Sequence, residues 1–465
     1  MTSFASSGPR LYPIFRSKLV SPVQQRRPNP LLRVAFPILL FYLFTVFTGI
    51  LEWTGILYWA HPLLVVGSLA LIVVAVSGRL KPVVLSPVGK VLTLFTIWFI
   101  FCIPFAIWRG GSFNTFVNLW SKSYLAYILT AGLILTLAQM RAVFHTIAYS
   151  IGFLACLALA ANRYDFTGRL GLIGSRYGNA NEFGFTLLVG LIFLAFVYLR
   201  GTGFRKASAV ILVFPMLVAL AKTGSRGTLI GALMLVIFVF TQASARGRVQ
   251  MVFALPILLV VLLLAVPSNL RNRYITVFKP HNEESTYNEA EAIGSTQARL
   301  ELLKDSIATT IRHPLFGVGP GNFQVAQAQL AIDRGEAYGM WHVTHNSYTE
   351  LSSETGIPGL LIYLAFVVQC WRVLSVIRRR RHVSRDVVAM TQTIRAALVV
   401  LVTVAFFDSV GYGPNVPIMA GLITALSFIA RDEQARYKTE SKRDEAAPAL
   451  PEPEYEPALT SPLYN

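Results

Sequence analysis

Charge is what this sequence has least of. Only 14% of its 465 residues are Asp, Glu, Lys or Arg, against about 25% in a soluble globular chain. Hydrophobic residues make up 54%, gathered in runs of about 17–22, each long enough to cross a ~30 Å hydrocarbon core as a helix. A soluble fold is excluded. Acid is scarcer than base, 23 residues against 41, for a formal net charge of +18. In a soluble protein that excess would suggest nucleic acid. In a membrane protein it reflects Lys and Arg held in cytoplasmic loops beside anionic headgroups, so membrane lipids are expected as partners and nucleic acid is not. The three cysteines, Cys102, Cys156 and Cys370, fall in apolar segments without disulfide or zinc-ligand spacing and read as small core hydrophobes. Missing too are an Asp-x-Asp pair, a His-Glu-x-x-His helix, a Gly-x-Ser-x-Gly elbow and a P-loop. His342 and His345 lie three apart and could share a helix face as metal ligands, but no clear third ligand accompanies them. Neither a metal nor a cofactor is expected.

What is present reads as an all-α, polytopic membrane protein of about twelve transmembrane helices with one long, partly helical extracytoplasmic loop. Spans are expected near 34–51, 57–77, 91–108, 124–140, 143–161, 184–199, 208–222, 227–241, 251–267, 356–377, 393–411 and 414–430, with very short connections around Arg141 and Tyr412. The chain thus divides into a basic cytoplasmic arm (1–33), nine spans (34–267), a large loop (268–355), three spans (356–430) and a disordered cytoplasmic tail (431–465). The arm is polar and proline-rich and no cleavable leader is expected in it. The tail is charged, then Pro- and Glu-rich, and cannot bury enough apolar surface to fold alone. Arg79, Lys81 and Lys90; Arg141; Arg200, Arg205 and Lys206; Arg246 and Arg248; and Arg372, Arg378 to Arg381, Arg385 and Arg395 fall in connections of one parity. By the positive-inside rule those connections and both termini are expected to be cytoplasmic and the large loop outside, which in a bacterial envelope means the periplasmic face of the inner membrane.

Basic residues on the outer side run against that bias and call for a reason. The connection 162–183 carries Arg163, Arg169, Arg176 and the run Gly178-Asn179-Ala180-Asn181-Glu182, and the next outer connection carries Lys222-Thr223-Gly224-Ser225-Arg226-Gly227. Snorkelling to headgroups is the bland explanation. The alternative is an anion site: Gly224 and Gly227 let backbone amides approach, Ser225 adds a hydroxyl donor, and guanidinium groups present planar, permanently charged forks to phosphate oxygens. In the large loop, Leu300, Leu303, Ile307 and Ile311 follow helical spacing from a cap at Ser295 or Thr296, which puts Arg299 in a first turn where a cation is disfavoured. Two prolines and three glycines between Pro314 and Asn322 predict a tight loop. His345 sits at the outer boundary, where a neutral imidazole could take a proton from a hydroxyl nucleophile. A short helix follows, carrying Glu350 and Glu354 toward Gly356.

Arg299, the run His313-Pro-Leu-Phe-Gly-Val-Gly-Pro-Gly-Asn-Phe323, then His345-Asn-Ser-Tyr-Thr-Glu350 and Glu354-Thr-Gly-Ile-Pro-Gly359 resemble the O-antigen ligase and O-antigen polymerase superfamily. Asn179-Ala-Asn181 and Ser225-Arg226-Gly227 look like motifs of the same family, with Ala180 where Pro often stands. The resemblance runs from about the fifth span to the tenth. It implies a metal-independent, inverting glycosyltransferase on the outer face of the cytoplasmic membrane. The implied donor is an oligosaccharide linked through diphosphate to undecaprenol, and the acceptor a hydroxyl on a glycan or on lipid A core. Carried across, His345 is the base, and Arg226, Arg299 and one of Arg169 or Arg176 hold the diphosphate. Asn181, Ser225, His313, Asn346 and Glu350 become substrate-binding candidates. Polymerase, ligase and protein glycosyltransferase share this donor chemistry. A transporter or lipid-linked sugar flippase is the competing class; it should show polar or broken helices at the bilayer midplane and symmetry between halves.

Overall fold

The computed structural model describes residues 29–55, 62–165, 167–253, 256, 287–335 and 341–446. Among them the chain is helical, with one isolated antiparallel bridge, Tyr164 to Leu170, and no sheet. Its longer helices are α1 (Pro30–Thr48), α2 (Pro62–Val76), α3 (Pro87–Cys102), α4 (Ser121–Leu133), α5 (Leu137–Ala161), α6 (Ala180–Arg200), α7 (Phe204–Lys222), α8 (Arg226–Gln242), α9 (Tyr287–Arg312), α10 (Phe323–Asp333), α11 (Ser347–Arg379), α12 (Arg385–Val404) and α13 (Asn415–Ala446).

Seven of the described helices are long and apolar enough to cross a membrane: α1, α3 with its terminal turn to Phe105, α5, α6, α7, α11 and α12. The chain is a multi-pass membrane protein. The shorter apolar helices α2 and α8 cover the second and eighth expected spans, so the count of twelve is not reached among the described residues, and most of 251–267 lies outside them. Three boundaries differ from expectation. α4 stops at Leu133 and α5 begins at Leu137 under a reciprocal cap between Thr136 and Gln139, so the short connection lies before Arg141, which is inside α5. α12 begins at Arg385, capped by Ser384, eight residues before the expected span. Arg395 therefore belongs to its interior, where the guanidinium lies 4.4 Å from the Trp371 ring centroid in a cation–π contact. α13 continues through the charged stretch from Arg431 to Ala446, anchored by Glu433 against Ser384 and by His382 stacked on Tyr437; the expected tail is helical that far, and its remainder lies outside the described residues.

One continuous core runs through the bundle. α6 and α12 are its centre, 72% and 67% buried along their apolar stretches, whereas α7 at 22% and α11 at 28% lie at its edge. α6 packs on α5, α7 and α12; α8 lies on α12; α4 lies on α13; and α11 pairs with α3. At one end Arg141 of α5 and Arg200 of α6 both pair with Asp386 of α12, locking three helices through one buried carboxylate.

The opposite end is organised by a break in α11. Gly356 takes φ 74°, ψ 175°, outside the helical region, and interrupts the ladder. The glycine-rich loop before α10 fills the gap. Val318 and Gly319 amides donate to the freed Ser353 and Glu354 carbonyls at 2.8 and 3.0 Å, and the Ile357 amide donates to the Pro314 carbonyl at 2.8 Å. The Glu354 carboxylate accepts the Gly321 and Phe323 amides at 2.7 and 3.2 Å. Gly317, Gly319 and Gly321 all have positive φ, and a Cβ on Gly319 would fall 2.2 Å from that of Ala106. The tight loop is as expected, and its backbone does the work. Gly319→Ala should cost about 1–3 kcal/mol through overpacking and left-handed strain, read as a lower thermal midpoint of the solubilised protein. An unchanged midpoint would contradict this account of the loop.

Candidate active site at one end of the bundle

Three helix N-termini face the end marked by the α11 break. Asn179 caps α6 by accepting the Asn181 amide at 2.9 Å, Ser225 caps α8 by accepting the Thr228 amide at 3.3 Å, and Asn346 caps α11 by accepting the Tyr348 and Thr349 amides at 3.0 and 3.3 Å. The cap residues are the polar residues flagged in the sequence; here their side chains satisfy helix ends. The ends are tied to one another. Ser347 donates its amide to Ala405 and its hydroxyl to the Asp408 carbonyl at 2.7 Å, and its oxygen accepts the Val410 amide. Gly227, second in α8, lies so close to Phe407 that a Cβ would fall 2.8 Å from that side chain. The positive ends of three helix dipoles therefore converge beside residues 405–410.

The arginines divide into struts and candidates. Arg169 is buried. It is presented by a turn in which Asp165 accepts the Thr167 and Arg169 amides, and its guanidinium reaches the Thr223 carbonyl at 2.7 Å and Asn181 Oδ1 at 2.6 Å. It thus joins the start of α6 to the end of α7, where Thr223 is the C-cap. Arg176 donates through two nitrogens to Glu182 Oε1, at 3.2 and 3.0 Å, and its amide to Glu52. Burial alone would lower its pKa, but Tyr177, Glu182 and Glu52 outweigh that and hold it above the ordinary value, so it stays a cation. Glu182, whose role the sequence leaves open, pairs with this arginine.

Arg226 opens α8, and its Nη2 donates to the Thr296 hydroxyl at 3.0 Å. Thr296 and half-buried Arg299 lie three apart on α9, hence on one face, so the contact joins the start of α8 to the face of α9 that carries Arg299. α9 begins at Tyr287, earlier than expected. Ser295 and Thr296 are therefore interior to the helix, and Arg299 is not a first-turn cation: the helix is extended by the polar run before Gly294.

His345 occupies the turn before α11 with φ 50°, a left-handed backbone that a non-glycine side chain adopts at a cost. Its side chain is 23% exposed, and its Nδ1 lies 3.9 Å from Oδ1 of Asp408, which is 7% exposed. Asp408 Oδ1 accepts the Ser409 amide at 3.0 Å, whereas Asp408 Oδ2 and His345 Nδ1 are buried with no hydrogen-bond partner among the described residues. Glu182 lies close enough to Asp408 to feel its charge. Glu350 is buried one turn into α11, with no hydrogen-bond partner for Oε2 among the described residues. The structure thus gathers Arg169, Arg176, Asn181, Ser225, Arg226, Arg299, His345, Asn346 and Glu350 at one end. It leaves out His313, which is exposed at the far end of α9, about 25 Å along the helix from Thr296 at 1.5 Å per residue; the run it opens serves the α11 break instead. His342 is exposed, its ring centroid 6.4 Å from that of His345, and among the described residues no three His, Cys, Asp or Glu side chains cluster as metal ligands.

Three site residues were not singled out by spacing. Thr223 offers only its carbonyl, Thr296 had been assigned to a cap, and Asp408, although recognisable as an acid near a span end, gave no sign that it faces His345 across 63 positions.

These features define a helical membrane protein that carries, at one end, cationic side chains and a histidine as a candidate site. No curated protein matches the chain significantly. Residues 211–364, from within α7 to the middle of α11, match the family model described as O-antigen ligase. The match covers about a third of the chain and supports the resemblance to the O-antigen ligase and polymerase superfamily. Arg169 and Asn181 should be energetically coupled: the two alanine variants and the double variant should depart from additivity by about 0.5–3 kcal/mol in thermal unfolding. Strict additivity would mean that the strut contributes nothing to holding the two helix ends together.

Proposed function

We propose that the protein transfers a glycan from an undecaprenyl-diphosphate-linked donor to a hydroxyl of a growing glycan or of lipid A core, as a polymerase or ligase, on the outer face of the inner membrane. The observation that carries this reading is the placement of His345, on a left-handed turn beside buried Asp408, at the end where Arg226, Arg299 and three helix N-termini converge. With Nδ1 turned to Asp408, Nε2 is the nitrogen left to take a proton. The acceptor oxygen attacks the anomeric carbon opposite the diphosphate, its proton passes to His345, and the sugar–oxygen bond to phosphate breaks with its electron pair going to the leaving group. The configuration at that carbon is inverted. Arg226 and Arg299, fixed at the mouth of the site, stabilise the charge that develops on the diphosphate, the task a metal ion performs in other transferases. Arg176 is compensated by Glu182, and Arg169 is spent on Thr223 and Asn181, so both position the site's floor. We place both termini in the cytoplasm, on the strength of the loop charges.

The distribution of buried acid favours a transferase over a transporter. Among the described residues, Asp386 lies at one end of the bundle, and Asp408, Glu350 and Glu354 lie at the other; a carrier would place such groups near the midplane.

In vesicles containing the purified protein, the lipid-diphosphate oligosaccharide and an acceptor, His345→Ala should lower the transfer rate by about 10²–10⁴-fold, the usual worth of a general base. Arg226→Lys should keep the charge but lose the planar fork and also slow transfer. Near-normal transfer by the histidine variant, with insertion intact, would remove His345 from the mechanism.

A further inference from the structure

The long helix of the large loop is built inside out. Towards the protein α9 turns Asp305, Ser306 and Thr309, each 2% exposed or less, with Leu302 as the apolar exception. Asp305 is held by Arg334 at 2.7 and 3.2 Å and by Gln327 at 3.3 Å, and the Thr310 hydroxyl meets that of Ser352 at 2.8 Å. Away from the protein the same helix turns Leu300, Ile307 and Ile311, exposed to 53%, 47% and 72%, and Leu315 just beyond its end is 62% exposed. A helix bathed in water shows the reverse arrangement, with its apolar stripe on the core and its polar face outward.

The apolar face is continuous with the surface of two candidate spans. The Ile357 amide bonds the Pro314 carbonyl, which sets Leu315 beside the exposed Ile357 and Leu361 of α11. The Phe316 ring stacks on Phe105 with centroids 4.2 Å apart and meets Phe101 edge-on at 5.8 Å; both partners are outward-facing residues at the end of the span Pro87–Phe105. Whatever solvates those spans extends without a step onto the end of α9. Lys304, exposed three residues before Ile307, has the long stem needed to carry its charge back to the headgroups.

We infer that the Ile307–Leu315 end of the large loop is immersed in the lipid acyl chains at the site end of the bundle, rather than standing in water. α9 then bridges two fixed points. Its far end is held by lipid, and Thr296 is held by Arg226. That sets the height of Arg299 above the bilayer surface, whatever the substrate.

The test uses the unmodified full chain in phosphatidylethanolamine–phosphatidylglycerol vesicles containing a phospholipid with a diazirine on its acyl chain. After photolysis, peptides are mapped by mass. Label on 305–312 and on the following peptide that contains Leu315 should exceed that on the charged 431–446 segment several-fold and approach that on the span carrying Leu361. Label on 305–315 no higher than on 431–446 overturns the inference; this is the result expected if water or a second copy of the chain covers that face. Ile311→Asp adds a second reading, since it should cut the label on its own peptide several-fold and leave the span's label unchanged.

Discussion

A helix that breaks inside a membrane protein leaves amides and carbonyls that neither lipid nor core can satisfy. The break at Gly356 is met by the glycine-rich loop, whose amides bond Ser353 and Glu354 and whose Pro314 carbonyl takes the Ile357 amide. Much of the site end follows from this repair. The break lets the first turns of α11 depart from the line of the span and carry Asn346, His345 and Glu350 to the bundle's end. The same bonds bind the large loop to α11 and, through Phe316, to α3. The buried carboxylate of Glu354 serves that repair directly.

Once the frame is in place, the charges sort themselves by partner. Arg141 and Arg200 share Asp386 at one end, Arg176 meets Glu182 at the other, and Arg169 ties the start of α6 to the end of α7. Arg226 differs in reaching across to Thr296 of α9, three residues before Arg299, and at the same end of the bundle His345 is held beside a buried acid. Arg226, fixed at the first position of α8, is repelled by the helix dipole; a bound diphosphate would relieve that repulsion.

The membrane class and most spans were legible because hydrophobic runs report lipid directly. The start of α9 was not legible, because the polar run before Gly294 has no apolar period to reveal a helix. The glycine-rich run was read correctly as a turn, but its purpose depends on Gly356, some forty residues away, and no local pattern discloses that contact. Arg226, Arg299 and His345 stood out as polar residues at apolar boundaries. Asp408 did not, since its meaning lies in a tertiary contact. Arg169 and Arg176 looked alike in sequence and differ in structure only through Thr223, Asn181 and Glu182.

The central claim is a division of labour in which arginines hold the donor's diphosphate and His345 acts on the acceptor. Equilibrium binding of undecaprenyl diphosphate to the wild-type protein, to Arg226→Ala and to His345→Ala tests it most directly. The account predicts that Arg226→Ala weakens binding by about tenfold or more, one lost charge-assisted contact being worth about 1.5–3 kcal/mol, while His345→Ala binds as the wild type does. Equal affinity in all three proteins, or loss only in the histidine variant, would contradict it.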